Sequence, residues 1–320
     1  MAKTHKTTKK ILNENWDDIC ERIGAGESLT DIAMIYGVSR PALSARVNKK
    51  GTNIVRTPAT QTLKILTLDI ENAPMTSYVW GLWQQNIQPS MRVEGDRSYM
   101  MSVAAKWLHE DKVHYFETRD EDDSQITAEI LKLVDEADII VGHNAQKFDM
   151  KKINAYAILN GLTPPSPYRV IDTMLIAKKH FAFERNTLDY LSNALCSATK
   201  SAHKKFQGFD LWKECMKGNE EAWEEMKHYN IQDVRATEEL YLILRPWAKG
   251  HPNVTTTANS TVRRCASCGS KNIHEDGYSI TNVSKFRQYK CEDCGSFSRD
   301  RSSLLPKDVR EKLLTSVVNG

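Results

Sequence analysis

Residues 63–172 alternate between two hydrophobic periods, and that alternation restricts the fold more than any other feature of the chain. LKILTLDIE (63–71) is apolar, β-branched and strand-length; YMMSVAAKW (99–107) and KVHYFET (112–118) predict two further strands, joined by a turn around 109–111. The acidic run 120–123 precedes a helix over about 124–136. DIIVG (138–142) then reads as a short buried strand, followed by a helix over about 147–160. Pro164, Pro165 and Pro167 force a loop before RVID (169–172), a further strand. The chain is mostly helical from there to about Arg245, with a basic break at 200–205 (KSAHKK). Three strands in succession, then strands alternating with helices, imply an α/β domain.

Both flanks differ from this body in charge. Residues 1–50 carry 9 basic and 6 acidic side chains (net +3), 51–261 carry 24 and 28 (net −4), and 262–320 carry 11 and 7 (net +4). Basic appendages on an acidic body are the expectation. Apolar residues at 40% and charged residues at 27% fit a globular chain and exclude wholesale disorder. No run approaches the ~18 apolar residues of a membrane span. MAKTHKTTKK has no apolar stretch behind its charges, so neither a signal peptide nor a membrane partner is expected.

In the N-terminal flank, Ile11, Leu12, Trp16, Ile19, Cys20 and Ile23 recur at helical spacing, and GAGE (24–27) ends that helix. Ser28, with Asp31 three residues on, caps a second helix that carries Leu29, Ile32, Ala33 and Ile35 inward. Gly37 suits a left-handed turn, and Ser39 caps a third helix to about Asn48. The aperiodic stretches 51–62 and 249–261 read as linkers. The expected organisation is thus a helical module at 1–50, a body at 63–248, a cysteine-bearing module at 262–300 and a tail at 301–320.

The body carries its chemistry in carboxylates. Asp69 and Glu71 stand at i and i+2 on the first strand, so both leave the same face. Two like charges on an apolar strand are costly to bury unless a cation neutralises them. HNAQKFDM (143–150) puts Asn144 in a loop and Asp149 in the first turn of the next helix, where an acid also suits the helix dipole. HYNIQDV (228–234) is helical and sets Tyr229 and Asp233 on one face at i and i+4. His228 also precedes Asp233, at i+5, about 140° away around the helix. Asp172, in IDT, reads as a helix N-cap, with a further acidic neighbour of the cluster as the alternative, and His143 as a polar residue satisfied within the fold.

DxE on the first strand, NxxxFD after a later strand and YxxxD in a late helix together resemble the DEDD family of 3′–5′ exonucleases, in its tyrosine branch, over about 65–245. That branch includes the proofreading domains of DNA polymerases. The resemblance implies a ribonuclease H-like fold, a mixed sheet with helices on its faces, and a site of Asp69, Glu71, Asp149, Tyr229 and Asp233. It implies two Mg²⁺ or Mn²⁺ ions, an assignment the oxygen-only donor set also favours over zinc. Asp69 would bridge both ions, Glu71 and Asp233 would complete one site, and Asp149 would help hold the other through water. Tyr229 would orient the attacking water. The histidine branch, with HxxxxD, leaves His228 as the alternative.

Cys265-x2-Cys268 and Cys291-x2-Cys294, 22 residues apart and each followed by glycine, look like the two knuckles of a zinc ribbon. Four thiolates close a tetrahedral site for one structural Zn²⁺. Lys285 and Arg287, interleaved with Phe286 and Tyr289 between the knuckles, suit contact with nucleic acid. ESLTDIAMIYGVSRPALSARV resembles a helix-turn-helix, with Arg40 and Ser44 at the start of a recognition helix. Asn144 is a further candidate for contact with nucleic acid.

The expected activity is a stand-alone metal-dependent 3′–5′ exonuclease that releases 5′-mononucleotides, with DNA ahead of RNA as substrate. Its setting would be DNA replication, proofreading or repair. The 320 residues leave no room for a polymerase as well, so a separate DNA polymerase or other replication protein is the expected partner. Such nucleases resemble the small replication or repair exonucleases of phages and bacteria, which implies the cytoplasm of a bacterial or phage-infected cell. Two other classes fit parts of the chain. A transposase or recombinase nuclease can combine the same three modules, although its acids are not usually set in NxxxFD and YxxxD. A non-enzymatic DNA-binding regulator would leave the carboxylates unexplained.

Overall fold

The computed structural model describes residues 8, 10–24, 29–39, 42–43, 46–47, 63–197, 205–257, 261–315 and 317. They fall in two compact units: those of Met1–Thr62 with Thr256–Thr261, and those of Leu63–Thr255 with Val262–Gly320. In the first unit, helices α1 (Trp16–Gly24) and α2 (Leu29–Ile35) bury Trp16, Ile19, Ile23, Ile32 and Ala33, whereas Ile35, expected to face inward with them, is exposed. Leu12, Trp16, Ile19, Ile23, Ile32, Ala33, Val38 and Leu43 form its core. Gly37 makes the turn after α2, at φ +62°. Arg40, Ser44, Ser28 and the linker 51–62 lie outside the described residues, as does most of the third predicted helix.

The second unit is built on a five-stranded mixed sheet; the sequence predicts its strands and an α/β domain, and the resemblance implies the mixed arrangement. Its strands are β1 (Ile65–Asn72), β2 (Met100–Trp107), β3 (Val113–Glu117), β4 (Ile139–Gly142) and β5 (Arg169–Asp172), in spatial order β3-β2-β1-β4-β5. β1, β2 and β3 form an antiparallel meander, whereas β4 and β5 run parallel to β1. β1 therefore sits where the sheet changes from antiparallel to parallel. It pairs with β4 only over Ile65–Thr67 but with β2 as far as Asn72. Its carboxyl half thus loses its β4 neighbour, and a crevice opens at that end, where open α/β sheets take ligands.

Helices cover both faces. α3 (Ser124–Glu136) and α4 (Asp149–Leu159) pack on one side with the core of Leu66, Leu68, Ile70, Val103, Ile130, Val134, Ile140 and Ile153. α5 (Thr173–His180), α6 (Leu188–Leu195), α7 (Asp210–Met216) and α8 (Glu220–Leu244) make up the rest. α8 is 25 residues long, capped at Asn219, and buries Trp223, Met226, Tyr229, Asp233, Leu240 and Tyr241 along one stripe. Lys106 of β2 pairs with Glu238 of α8 at 2.7 Å and ties the helix to the sheet. No helix among the described residues is long and apolar enough to cross a membrane.

The loop from β4 to α4 passes very close to the sheet. A Cβ on Gly142 would stand 2.5 Å from the Ala145 Cβ and 3.3 Å from the Leu68 carbonyl oxygen. Only a residue without a side chain fits there. Gly142→Ala is expected to cost ~1–3 kcal/mol, the usual penalty for overpacking a tight core. Chemical denaturation of the purified variant reads that loss, and a midpoint equal to that of the parent chain would refute it.

The C-terminal module is a three-stranded antiparallel sheet of β6 (Ile273–Thr281), β7 (Ser284–Cys291) and β8 (Phe297–Arg299), followed by the short helix α9 (Lys307–Arg310). The stretch leading to it holds packed residues, which its lack of periodicity did not announce. Val254 is buried against Ile65, Ile139, Val141, Ile171 and Tyr241, and its N–H donates to the Ala266 carbonyl at 2.9 Å. His251 stacks on Tyr241 and is hydrogen bonded to its hydroxyl at 2.8 Å.

Candidate active site

Asp69, Glu71 and Asp233 converge at the open end of β1, each offering a carboxylate oxygen within 4.8 Å of the others. Asp69 and Glu71 reach it because β1 has period 2; Asp233 reaches it from the buried stripe of α8. Opposite them on β2 stand Ala104 and Ser102, small residues that leave room for α8 to approach. Three carboxylates so close repel one another, and a hard divalent cation would offset that repulsion. Every donor is an oxygen, which fits Mg²⁺ or Mn²⁺ and suits Zn²⁺ poorly.

Asp149 stands outside that trio. Its Oδ1 accepts the Ile70 N–H at 3.2 Å, alongside the half of β1 that β4 has left. Burial pushes its carboxyl up to about 7; the Ile70 N–H pulls it back in part, and Asp172 adds repulsion. Asp172 organises the approach of this loop. It caps α5 by accepting from Met174 and Leu175, and also takes the Asn144 N–H at 3.0 Å and the Gln146 N–H at 3.2 Å. Asn144 is left-handed at φ +67°, a conformation asparagine tolerates better than most residues. His143 lies within hydrogen-bond distance of Thr173 Oγ1 and the Asn186 carbonyl, both 2.9 Å away, so it is satisfied inside the fold.

Tyr229 faces the carboxylates, whereas His228 is exposed on the other side of α8. Burial first, then the charges of Asp233, Glu71 and Asp69, push the Tyr229 hydroxyl far above its ordinary value.

Two residues that sequence reasoning missed hold the acids in place. Asn230 is wholly buried; its Nδ2 donates to the Asp69 carboxylate at 2.8 Å and to the Asp69 carbonyl at 3.2 Å. Its Oδ1 accepts the buried Ser102 hydroxyl at 3.2 Å. Trp212 of α7 donates its indole N–H to Glu71 at 3.1 Å and packs edge-on against Tyr229, 5.9 Å between ring centres. Asn230 sits beside Tyr229 in YNIQDV, so its neighbourhood was visible. Nothing in DLWKEC distinguished Trp212 from an ordinary core tryptophan.

Cys265, Cys268, Cys291 and Cys294 form the second cluster. The Cys265–Cys294 and Cys268–Cys291 sulfur pairs are each 3.6 Å apart. A tetrahedron with ~2.3 Å zinc–sulfur bonds needs sulfurs ~3.8 Å apart, so the cluster could hold zinc. Gly269 at φ +77° and Gly295 at φ +73° close the two knuckles; their N–H groups return to the Cys265 and Cys291 carbonyls. On β7, the Lys285 ammonium lies 3.6 Å from the centre of the Tyr278 ring and Arg287 pairs with Glu275 at 2.9 Å.

Residues 92–245 match the RNase_H_2 family, described as RNase_H superfamily, and the five-stranded mixed sheet flanked by helices is consistent with a ribonuclease H-like fold. The match begins after β1, so Asp69 and Glu71 precede it while Asp149, Tyr229 and Asp233 fall within it. No curated protein matches the chain in sequence. Among solved structures the chain is similar to the family B DNA polymerase from the hyperthermophilic archaeon Pyrobaculum calidifontis, at 18% identity and a TM-score of 0.47. That likeness covers 62% of this chain and 27% of the polymerase.

Proposed function

We propose that this chain is a metal-dependent 3′–5′ exonuclease that removes 5′-mononucleotides from nucleic acid, DNA ahead of RNA as the substrate, in replication, proofreading or repair. The observation that carries this reading is the meeting of Asp69, Glu71 and Asp233 beside Tyr229 at the open end of β1. Asp69, Glu71 and Asp233 would hold one Mg²⁺ or Mn²⁺, and Asp69 with Asp149 a second. When bound, such ions polarise a scissile phosphate and make water acidic enough to attack it. The chain's own groups do the positioning. Tyr229, beside the three carboxylates, directs a water through its hydroxyl. Trp212 fixes the rotamer of Glu71, and Asn230 that of Asp69.

The basic flanks serve this centre by holding substrate. An acidic body repels the phosphate backbone except at its metals, whereas 1–50 and 262–320 attract it. We assign the N-terminal unit to a helix-turn-helix that contacts DNA and the cysteine cluster to a structural zinc ribbon. A DNA polymerase or other replication protein is the partner this activity calls for. The deciding experiment digests 5′-labelled and 3′-labelled oligonucleotides with Mg²⁺, Mn²⁺ or EDTA. Metal-dependent stepwise shortening of the 5′-labelled strand, with immediate release of a 3′-labelled mononucleotide, is the expected result. Internal cuts, or none, would overturn the assignment.

Asn230 supplies a finer check. Asn230→Ala removes both hydrogen bonds to Asp69 and leaves every carboxylate present. Loss of a group that orients a metal ligand typically weakens metal affinity ~10–100-fold. The Mn²⁺ concentration for half-maximal cleavage should therefore rise by about that factor, and excess metal should restore much of the rate. An unchanged metal requirement would show that Asn230 does not position Asp69.

A further inference from the structure

Directly after the carboxylate-bearing strand, the chain leaves the sheet and does not rejoin it until Met100. The excursion is closed at its root. The Ala73 N–H donates to the Tyr99 carbonyl at 2.9 Å, and the Ser98 hydroxyl to the Ala73 carbonyl at 2.8 Å. A second clamp lies further out: Val93 N–H to the Thr76 carbonyl at 3.0 Å, and Tyr78 N–H to the Met91 carbonyl at 2.7 Å. Beyond that clamp the loop turns its largest apolar side chains outward. Trp80 is fully exposed, Leu82 is 98% exposed and Trp83 84%. Water-facing tryptophans at this density mark a contact surface.

Two features favour nucleic acid as the occupant. Residues 72–91 contain neither an acid nor a base, in a body whose net charge is −4, so this stretch does not repel phosphate. The loop also starts two residues beyond Glu71, and its root at Ala73 packs in the same core cluster as Tyr229, beside the carboxylates. Tryptophan rings stack on any base, and Gln84, Gln85 and Gln88 add amides suited to base edges without fixing a sequence. Arg92, bridged to Ser77 at the outer clamp, is the first cation after the uncharged stretch.

We propose that residues 76–93 form a base-stacking platform, in which Trp80 and Trp83 hold unpaired bases of a single strand next to the carboxylate cluster. This deepens the exonuclease reading and rests on it for the identity of the strand. The platform confers affinity for bases as distinct from phosphates and makes an unpaired stretch the preferred substrate.

The test uses the full chain carrying Asp233→Asn, so that the strand survives the measurement. Affinities for a 5′-fluorescent oligothymidylate and for an equally long abasic chain are compared by anisotropy with Mg²⁺ present. Stacking on two rings predicts ~30-fold or more tighter binding of the base-bearing chain. Adding Trp80→Ala and Trp83→Ala should erase that preference and leave the abasic affinity unchanged. Trp80→Phe with Trp83→Phe, which keeps aromatic faces, should retain most of it. Absence of the preference in the parent, an unchanged preference in the alanine variant, or equal loss on both chains overturns the platform. The last two results favour, respectively, a protein partner for the loop and a purely electrostatic grip. Because the readout is binding without hydrolysis, such a failure leaves the exonuclease assignment standing. Failure of the labelled-oligonucleotide digestion would remove that assignment and leave the stacking preference as measured.

Discussion

Asp233→Asn is expected to abolish metal-dependent hydrolysis while leaving the protein folded and no less stable. Asparagine keeps the shape of the side chain and removes one negative charge from a trio whose oxygens lie within 4.8 Å of one another. Without metal, that charge repels Asp69 and Glu71, so its loss relieves strain in the apo state. With metal, the same charge is an anchor that asparagine replaces poorly. Transition-state charge stabilisation by a bound metal amounts to several kcal/mol, which corresponds to on the order of 10³-fold or more in rate. Two measurements separate the metal role from general damage. The melting temperature of the parent chain should rise on adding Mn²⁺, and that of the variant should rise less. Without metal, the variant should melt at the same temperature as the parent or higher. Near-normal cleavage by Asp233→Asn would place the chemistry elsewhere in the molecule. Asp69→Ala should likewise abolish hydrolysis, but with some loss of stability, because it takes the carboxylate from the buried Asn230 amide.

The candidate site was legible in the sequence wherever a single element sets the geometry. Asp69 and Glu71 share a face because a strand has period 2, and Tyr229 and Asp233 share a face because a helix has period 3.6. The same rule separated Tyr229 from His228, which is exposed on the far side of α8. What stayed hidden depends on contacts between elements. Asn230 is recognisable as a positioning group only once β2 has brought Ser102, 128 residues away, against its amide. Trp212 needs the docking of α7 on α8 before its indole meets Glu71. The strands, and the helices at 124–136 and 149–159, followed from hydrophobic period. Val254 did not, because one apolar residue in an aperiodic stretch carries no period and shows its burial only against Ile65, Val141 and Tyr241. The loop at 76–93 escaped notice for a related reason: its tryptophans face water, where neither period applies.

Removing zinc from the cysteine cluster should unfold the C-terminal module and spare the body. The module has little else to hold it together. β6 has no buried residue, and β7 buries only Phe286 and Cys291. A sheet that small cannot offset its ordering entropy by burial. Structural zinc contributes ~10–16 kcal/mol of apparent binding free energy to small zinc modules, which is ample. The body, by contrast, has its own cores around Leu66, Ile130 and Ile153 and around Trp223 and Met226. Its link to the module includes the Val254 N–H on the Ala266 carbonyl, the position of Gly269 against the side chains of Val254 and Thr255, and Tyr241 near Cys268 and Cys294. Losing that link should cost the body ~1–2 kcal/mol, or ~2–8 °C in melting temperature for a domain of this size. Hydrogen exchange after chelation, or in Cys291→Ser, should show fast amides across 273–299 and unchanged protection in β1, β2 and α8. Collapse of protection throughout 63–255 would show instead that zinc holds module and body together as one cooperative structure.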